Sequence, residues 1–390
     1  MTEVVVGDLR TGRRWQTVPH VTCRWAQRRN QPETLSAVIP IREPVVQRLD
    51  MRNTATEGKS YLGIIEADDT FPAAGPMLEP SYDRDRGLLT LTAVGMGSWF
   101  NGLPVLPPLA DTINPAQFVV PDPTDSSATI PNPALATSFT DLSFGSIVRG
   151  LIAQWMAWPG GELPIVLPDV VPGTHELTIE GIDFKEIWDA IADITKQDDG
   201  IDVALIPRRV ADRLGVEWVL RTGTNEQPRF RSETIHRWDL TVSQESVRAL
   251  KVESNAASMA STAFFTGGRS ADVALVERAN DPYLTDLGYP RRIMVDSSHS
   301  TVEKRATLRA HANEAVKLGR VASRFWSFQV RKDGNPRFGE YQIGDLCQLL
   351  VKDDPYIPDS GHKGYLREIA AMSGDQGPWV TITTSEAFDG

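Results

Sequence analysis

The sequence is short of the residues from which most catalytic and metal centres are built. Its 390 residues include only two cysteines, Cys23 and Cys347, and six histidines that are at least twelve residues apart. A disulfide framework is therefore excluded, and a zinc site that uses cysteine is not expected. The histidines are expected at surface or capping positions; they are His20, His175, His236, His299, His311 and His362.

The short motifs that carry chemistry are also missing. The sequence has no Gly-x-x-x-x-Gly-Lys phosphate loop, no His-Glu-x-x-His, no Gly-x-Ser-x-Gly and no calcium-binding loop. Paired carboxylates occur in turn-like sequence, where Asp binds nearby backbone N–H groups, and Gly267-Gly268-Arg269 is likewise expected to be a turn. We therefore predict no catalytic, cofactor-binding or metal-binding residues and no enzymatic activity. The paired carboxylates are Asp68-Asp69, Asp198-Asp199 and Asp353-Asp354.

Two further absences concern location and partners. No apolar run approaches the ~20 residues that span a bilayer, and residues 1–4 lack the basic and apolar segments of a secretory signal. We expect synthesis in a cytosol and no stable membrane insertion. The formal net charge of −11 argues against a surface that wraps nucleic acid, because phosphate binding needs clustered Lys and Arg. The arginines between positions 10 and 29 are interrupted by Trp25 and Ala26 and are interpreted as a solvated strand face.

What the sequence has in quantity is the pattern of short β-strands. Both ends, roughly residues 1–100 and 323–390, alternate apolar and polar residues between tight turns. Residues 88–94 and 379–384 show β-branched and apolar residues on one face and Thr on the other, which predicts half-buried antiparallel strands. Further strands are predicted at residues 34–40, 59–67, 201–206, 217–221, 239–242, 249–253 and 263–266.

The middle of the chain combines a proline-rich segment with helices. Eight prolines between residues 103 and 133 exclude a helix or a central strand and predict an extended arm that packs along a neighbour. Helical spacing of apolar residues predicts helices over residues 144–158 and 183–197, the second opened by a capping box of Asp183 and Glu186. A third helix is predicted over residues 300–320, with Ser300 as N-cap, Glu303 three residues on, and small residues packed against a sheet.

These elements predict a β-rich, multidomain α+β fold in which two β-barrel-like domains flank smaller α+β modules. The chain is too long for a single core, so several domains are expected. A β-domain at each end with different material between them favours a structural ring component over an enzyme. The predicted segments are a β-barrel-like domain at 1–102, a proline-rich arm at 103–134, an α+β module at 135–230, a β-rich connecting module at 231–299, and a helix with a second β-barrel-like domain at 300–390.

With this order of elements, the chain resembles the minor tail, or tail-hub, proteins of long-tailed actinobacterial phages, which are relatives of the baseplate hub. Nearly the whole chain takes part in the resemblance, through strand-and-turn patterns rather than through one diagnostic motif. The stretches that carry it are Trp25 with residues 36–39, residues 80–93, residues 188–200 with 217–220, and residues 288–369.

The resemblance implies a non-enzymatic structural protein of the virion tail tip. It implies a homotrimer on the tail axis, in which two barrel-like domains per chain match a threefold tip to the sixfold tail tube and close or gate the DNA channel. The implied partners are the distal tail protein, the tail tube protein, the tape measure protein and other tail-tip proteins. DNA would pass through the lumen without specific binding, since an acidic lumen repels phosphate.

Two other classes of function stay open on the sequence alone. A carbohydrate-binding or adhesin-like β protein would need an exposed aromatic platform, for which Trp155 and Trp158 are the candidate pair. A cell-wall hydrolase would need a site that assembles only in three dimensions, with Asp281, Asp286 or His299 as candidates. The surroundings of these five residues distinguish the alternatives.

Overall fold

The chain forms two compact units, each made from separate stretches of sequence. The computed structural model describes residues 2–66, 69–125, 127–197, 199–210, 215–241, 246–270, 273–297, 305–320 and 322–386. Unit 1 contains Met1–Arg248 and Gln329–Thr383, and unit 2 contains Ala249–Phe328 and Thr384–Gly390. The predicted division into five consecutive segments stays a prediction. No helix among the described residues is long and apolar enough to cross a membrane.

The described part of the first hundred residues contains eight strands and two α-helices of one turn. Their bounds are β1 Glu3–Asp8, β2 Arg14–Val18, β3 Thr22–Arg28, β4 Gln31–Pro40, α1 Pro44–Gln47, α2 Met51–Thr54, β5 Ser60–Ile65, β6 Ala73–Pro76, β7 Ser81–Asp83 and β8 Leu88–Val94. The strands predicted at residues 34–40, 59–67 and 88–94 are confirmed as β4, β5 and β8, with Ala67 outside the described residues. Buried and half-buried residues alternate along β4, and this alternation accounts for the sequence pattern that predicts the strand.

The proline-rich segment and the module after it come next in the chain. Their elements are β9 Val119–Pro121, β10 Thr129–Pro131, β11 Thr137–Leu142, α3 Phe144–Met156, β12 Ile165–Val166, β13 His175–Ile179, α4 Ile187–Thr195, β14 Val203–Arg209 and β15 Val216–Thr222. Strands β9 and β10 pair only with each other, so no central strand forms among the described residues of the proline-rich segment. The prediction that this segment has no helix is wrong, because short 3₁₀ helices form at Pro108–Asp111, Pro115–Phe118 and Pro133–Leu135. Helix α3 is confirmed, and Ser143 is its N-cap through a bond from the Ser146 amide.

The predicted start of the second helix is wrong by four residues. Phe184 has a φ of 46°, a left-handed conformation that cannot continue a helix, so α4 begins at Ile187 after a 3₁₀ turn over Gly181–Asp183. Glu186 is the N-cap residue, but its carboxylate accepts from the Gly102 amide instead of closing a capping box with Asp183. The Phe184 ring is therefore 54% exposed.

The last part of the chain supplies the remaining strands and two helices. They are β16 His236–Asp239, β17 Val247–Asn255, β18 Thr262–Ser270, β19 Val273–Asn280, α5 Tyr283–Asp286, β20 Ile293–Asp296, α6 Arg305–Leu318, β21 Ser323–Arg331, β22 Leu346–Leu350, β23 Tyr365–Asp375 and β24 Trp379–Glu386. Gly267 and Gly268 lie within β18, where the register with β19 is irregular, and so the predicted turn is wrong.

Unit 2 is built on a three-stranded sheet in the order β19-β18-β20. Helix α6 packs on this sheet, and Leu308, Ala312 and Val316 form a small core with Ala263 and Phe265. This confirms the predicted contact between small helical residues and a sheet, although the Ala306 and Ala310 side chains are exposed. The predicted N-cap Ser300 and Glu303 lie outside the described residues.

Within unit 1, the largest sheet contains strands from both ends of the chain. Its order there is β24-β23-β3-β4-β8-β7, with β22 beside β23 and β16 beside β22. Trp25 on β3 lies opposite Gly374 on β23. A Cβ atom at Gly374 would lie 2.7 Å from the Trp25 ring, so only glycine fits where the two terminal regions pair.

The main core of unit 1 lies between the sheet β2-β1-β5-β6 and helices α3 and α4. Trp218 of β15 is fully buried in this core and donates from Nε1 to the Ala74 carbonyl at 2.9 Å. Its ring meets Tyr61 edge to face, with ring centroids 5.7 Å apart. The sheets formed by the described residues are open, and none of them closes into a barrel.

We expect Leu151→Ala to destabilise unit 1 by about 2–5 kcal/mol, because a fully buried leucine leaves a cavity in a packed core. The matched control is Leu78→Ala, since Leu78 is also in unit 1 but is 45% exposed. Denaturant unfolding followed by tryptophan fluorescence measures both. Equal effects of the two substitutions would contradict the placement of α3 in the core.

Candidate assembly site

A buried carboxylate, Asp202, lies where three parts of unit 1 meet. Its side chain has no solvent exposure. The Arg29 guanidinium donates to both carboxylate oxygens, from Nε to Oδ1 and from Nη2 to Oδ2, each at 2.8 Å. The Asn30 amide donates to Oδ1 at 3.1 Å and the Phe230 backbone amide to Oδ2 at 2.8 Å. Such a bidentate pair with added amide donors is what a buried charge requires.

The β3–β4 turn delivers these donors. Arg29 and Asn30 form the two-residue connection, and Asn30 adopts a φ of 52°, a region that Asn tolerates well. The Asn30 Oδ1 atom also accepts from the Val203 amide at 3.0 Å, which ties the turn to the start of β14. Burial alone would raise the pKa of Asp202, but the bonds from Arg29 and Phe230 hold it below its ordinary value.

Arg29 also reaches the C-terminal strand β23. Its Nη1 atom donates to Glu368, whose other carboxylate oxygen accepts from Arg231 Nη2 at 3.0 Å. The Arg29 backbone amide donates to the carbonyl of Ala370 on the same strand. One side chain therefore joins the N-terminal hairpin, the central module and the C-terminal strands.

A second buried pair links the two ends of the chain. Lys332 Nζ lies 2.6 Å from Glu66 Oε1, and the Glu66 side chain is buried while that of Lys332 is half-buried. Trp25 Nε1 donates to the same oxygen at 3.3 Å. Nearby, burial and the charge of Glu66 raise the pKa of the Cys23 thiol to about 11. Burial likewise raises the pKa of Cys347 to about 12, so both free cysteines are protonated and unreactive.

Of the three candidate hydrolytic residues, the structure describes Asp281 and Asp286. Asp281 in unit 2 is bound to Arg320 Nε at 2.6 Å, and the Tyr283 amide and this guanidinium hold its pKa below the ordinary value. Asp286 is exposed at the end of α5, and His299 lies outside the described residues. A carboxylate held ionised in this way is suited to structure rather than to proton transfer.

The carboxylate pairs behave as turn residues where they are described. Asp354 accepts from the amides of Tyr356 and Ile357, and Asp69 is bound to Arg209. Asp68 and Asp198 lie outside the described residues. Among the residues that the structure describes, no group of three or more His, Cys, Asp or Glu side chains could hold a metal ion.

The two residues of the candidate aromatic platform already contact other parts of the same chain. Trp155 and Trp158 stack with ring centroids 5.6 Å apart, but both are half-buried. Trp158 Nε1 donates to the carbonyl of Leu106 at 3.0 Å, which fixes the root of the proline-rich arm. This pair therefore holds the arm and does not present a flat surface for a sugar.

The open face of the large sheet carries a groove of about 660 Å³. Hydroxyl side chains from β4, β8, β23 and β24 line it, together with Arg24, Trp25 and Ala26 of β3. At one side, the Arg248 guanidinium lies 3.9 Å from the centre of the Trp379 ring, and its Nε donates to Gln329 at 2.9 Å. No sequence pattern indicates this groove, because its residues come from distant strands. The lining includes Arg24, Thr34, Ser36, Thr92, Ser373, Asp375, Trp379 and Thr381.

The proline-rich arm is a second candidate surface. It is exposed, and few contacts hold it to the rest of unit 1. None of the described residues between Leu106 and Leu135 is buried. The Phe118 ring stacks on Phe184, with ring centroids 5.6 Å apart, and Val119 is 38% exposed. The groove and the arm are the two surfaces of unit 1 that we consider for assembly.

Comparison with known structures shows the same fold in phage tail proteins. The tail protein from Neisseria meningitidis MC58 matches with a TM-score of 0.55 and 13% identity, covering 99% of this chain and 96% of its own. The 43 kDa tail protein of prophage MuSo2 from Shewanella oneidensis matches with a TM-score of 0.55 and 12% identity, covering 99% and 98%. The chain therefore has the fold of these tail proteins along almost its whole length.

Sequence comparison adds nothing to this structural likeness. No protein-family model matches the chain, and no curated protein is significantly similar to it. The common fold thus rests on the order and packing of elements rather than on shared residues.

We expect Asp202→Asn to destabilise unit 1 by roughly 1–3 kcal/mol, because the Arg29 guanidinium loses its bidentate carboxylate partner and keeps only Glu368. Since the pKa of Asp202 is depressed on folding, the loss should be constant above the ordinary aspartate pKa and shrink as pH falls below it. Urea unfolding between pH 3 and 8 measures this. Glu162→Gln, which breaks an exposed pair with Arg10, is the control and should have almost no effect.

Glu33 gives a pH dependence of the opposite sign. Burial raises the pKa of this half-buried carboxyl group to about 7, so the folded state holds its proton more tightly than the unfolded state. Its stabilising contribution is complete below the ordinary pKa and is lost as pH rises through 7. We expect Glu33→Gln to be more stable than wild type at pH 8 and similar at pH 4, as measured by thermal unfolding. The same substitution at the exposed Glu57 is the control.

Proposed function

We propose that this chain is a non-enzymatic structural protein of a phage virion that serves as the tail hub. The observation that carries the proposal is the fold, which is shared with two tail proteins, one of them from a prophage, along almost the whole chain. A fold can host several functions, so the contacts of the chain must support the role as well. The buried ion pairs do so, because they join distant regions into one rigid scaffold.

In this proposal the protein is a homotrimer on the tail axis. Strands from both ends of the chain lie in one sheet, so each copy can present its N-terminal and C-terminal β regions side by side. Three copies would then offer six terminal β regions and match a threefold tip to a sixfold tail tube or distal-tail ring. Closed rings of identical subunits are the common outcome of such head-to-tail contacts.

The proposed location is the virion tail tip, after synthesis in the host cytoplasm. The partners would be the distal tail, tail tube and tape measure proteins together with other tip proteins. The hub would close or gate the DNA channel, and DNA would pass without specific binding. The net charge of −11 supports this last point, because an acidic lumen repels phosphates.

The alternatives have less support. An adhesin would need a free aromatic platform, and the Trp155–Trp158 pair is used to anchor the arm. A hydrolase would need a free acid, and Asp281 is held by Arg320. Release of soluble products from peptidoglycan or polysaccharide by the purified chain would contradict the non-enzymatic proposal.

We expect the purified protein to form a trimer of about 130 kDa, since each chain has a mass of 43.0 kDa. Mass photometry and light scattering across a concentration series measure this directly. A monomer of 43.0 kDa at tens of micromolar would contradict the proposed hub.

A further inference from the structure

The groove on the large sheet contains two guanidinium groups without carboxylate partners. Arg24 and Arg248 both line it, and neither forms an ion pair with any described residue. Arg248 is fixed in place by Trp379 and Gln329, so its remaining N–H groups face the groove without further loss of side-chain entropy. The one carboxylate in the lining, Asp375, accepts from the Gly377 amide. The groove is thus preorganised for a small number of anionic groups.

The tip of the arm offers such groups. No Lys or Arg occurs between Leu103 and Val148, whereas Asp122 and Asp125 lie in the loop that joins β9 to β10. Asp122 accepts from the Thr124 hydroxyl and amide, and Asp125 from those of Ser127, each at 2.6–2.9 Å. These bonds hold both pKa values below the ordinary range, so the two carboxylates stay ionised. Prolines at 121 and 123 stiffen the same loop.

Contacts within its own copy stabilise the arm only weakly. Its two strands have three residues each and pair only with one another, and an isolated hairpin of this kind is marginally stable in water. A long loop that is built around local turns and left uncovered is typical of a binding segment.

We propose that the arm tip of one copy docks into the sheet groove of a neighbouring copy, with Asp122 and Asp125 pairing with Arg24 and Arg248. The docking is between copies because Val105, Leu106 and Phe118 fix the arm to the α4 side of its own unit. The contact joins two different surfaces, and when it is repeated by a threefold rotation it closes a ring of three copies. The proposal rests on the proposed homotrimer and names the surfaces that would hold it together.

Charge complementarity favours the arm over DNA as the occupant. Two arginines beside Asp375 make a weakly basic groove, whereas a nucleic-acid surface needs many clustered cations. Two carboxylates on a stiff loop match two guanidinium groups in number. The hydroxyl groups that line the groove can form hydrogen bonds with Thr124 and Ser127, which lie beside the two carboxylates in the loop.

A cross-linking experiment between copies tests the docking. Chains with Thr129→Cys near the arm tip are mixed with chains carrying Ser36→Cys on the groove floor, and a short bis-maleimide is added. The native cysteines are buried and should not react. We expect a covalent dimer from the mixture and none when Ser36→Cys is replaced by the control Ser138→Cys, which is exposed outside the groove.

Charge variants test the ion pairs in the full chain. Asp122→Asn with Asp125→Asn keeps the turn bonds and removes the charges, and Arg24→Gln with Arg248→Gln removes the opposite pair. Each double variant should raise the dissociation constant of the trimer by roughly tenfold or more, and the quadruple variant should lose little beyond that. Circular dichroism and thermal unfolding check that each variant is folded.

The outcomes separate this proposal from the hub itself. A wild-type trimer that gives no cross-link above the Ser138→Cys control, or whose dissociation constant is unchanged in the double variants, overturns the arm docking and leaves the hub standing. Loss of duplex DNA binding in Arg24→Gln with Arg248→Gln, without a change in mass, would make the groove a DNA contact and also overturn it. A monomeric wild type overturns both.

Discussion

The ion pair between Arg29 and the fully buried Asp202 is the interaction on which the arrangement of unit 1 depends. A carboxylate without solvent is tolerated only where donors surround it, and here they come from the β3–β4 turn and the Phe230 segment. Because Arg29 binds Glu368 at the same time, the C-terminal strand β23 is held to the hairpin that it pairs with. Charge satisfaction and strand pairing therefore specify the same arrangement.

Local patterns predicted much of the fold, and contacts between distant residues were the part they could not supply. Strands β4, β5 and β8 and helix α3 follow from periodicity and a Ser143 cap, which act over a few residues. Helix α4 begins later than predicted because Phe184, whose backbone is in a left-handed conformation, interrupts the helical pattern. The Arg29 network joins residues 173 and 339 positions apart, and no spacing rule connects them. The groove could not be predicted for the same reason, because its lining residues come from strands that are distant in the sequence.

The candidate functional residues Trp155, Trp158 and Asp281 form structural contacts within the chain. The Trp155–Trp158 pair anchors the arm, Asp281 is bound to Arg320, and the described carboxylate pairs stabilise turns or surface contacts. What the described residues leave unsatisfied is of a different kind: two guanidinium groups on an open sheet and an uncovered acidic loop. Unsatisfied surfaces of complementary charge are typical of a subunit that is completed by assembly.

The central claim is that copies of this chain form a threefold ring that contains the β regions from both of its ends. A cryo-EM map of the purified protein, or of the tail tip that contains it, tests this most directly. We expect three copies around the axis, with the sheet that holds β3 and β23 of each copy in the ring. A map with the chain off the axis, in another copy number, or with this sheet outside the ring would contradict the claim.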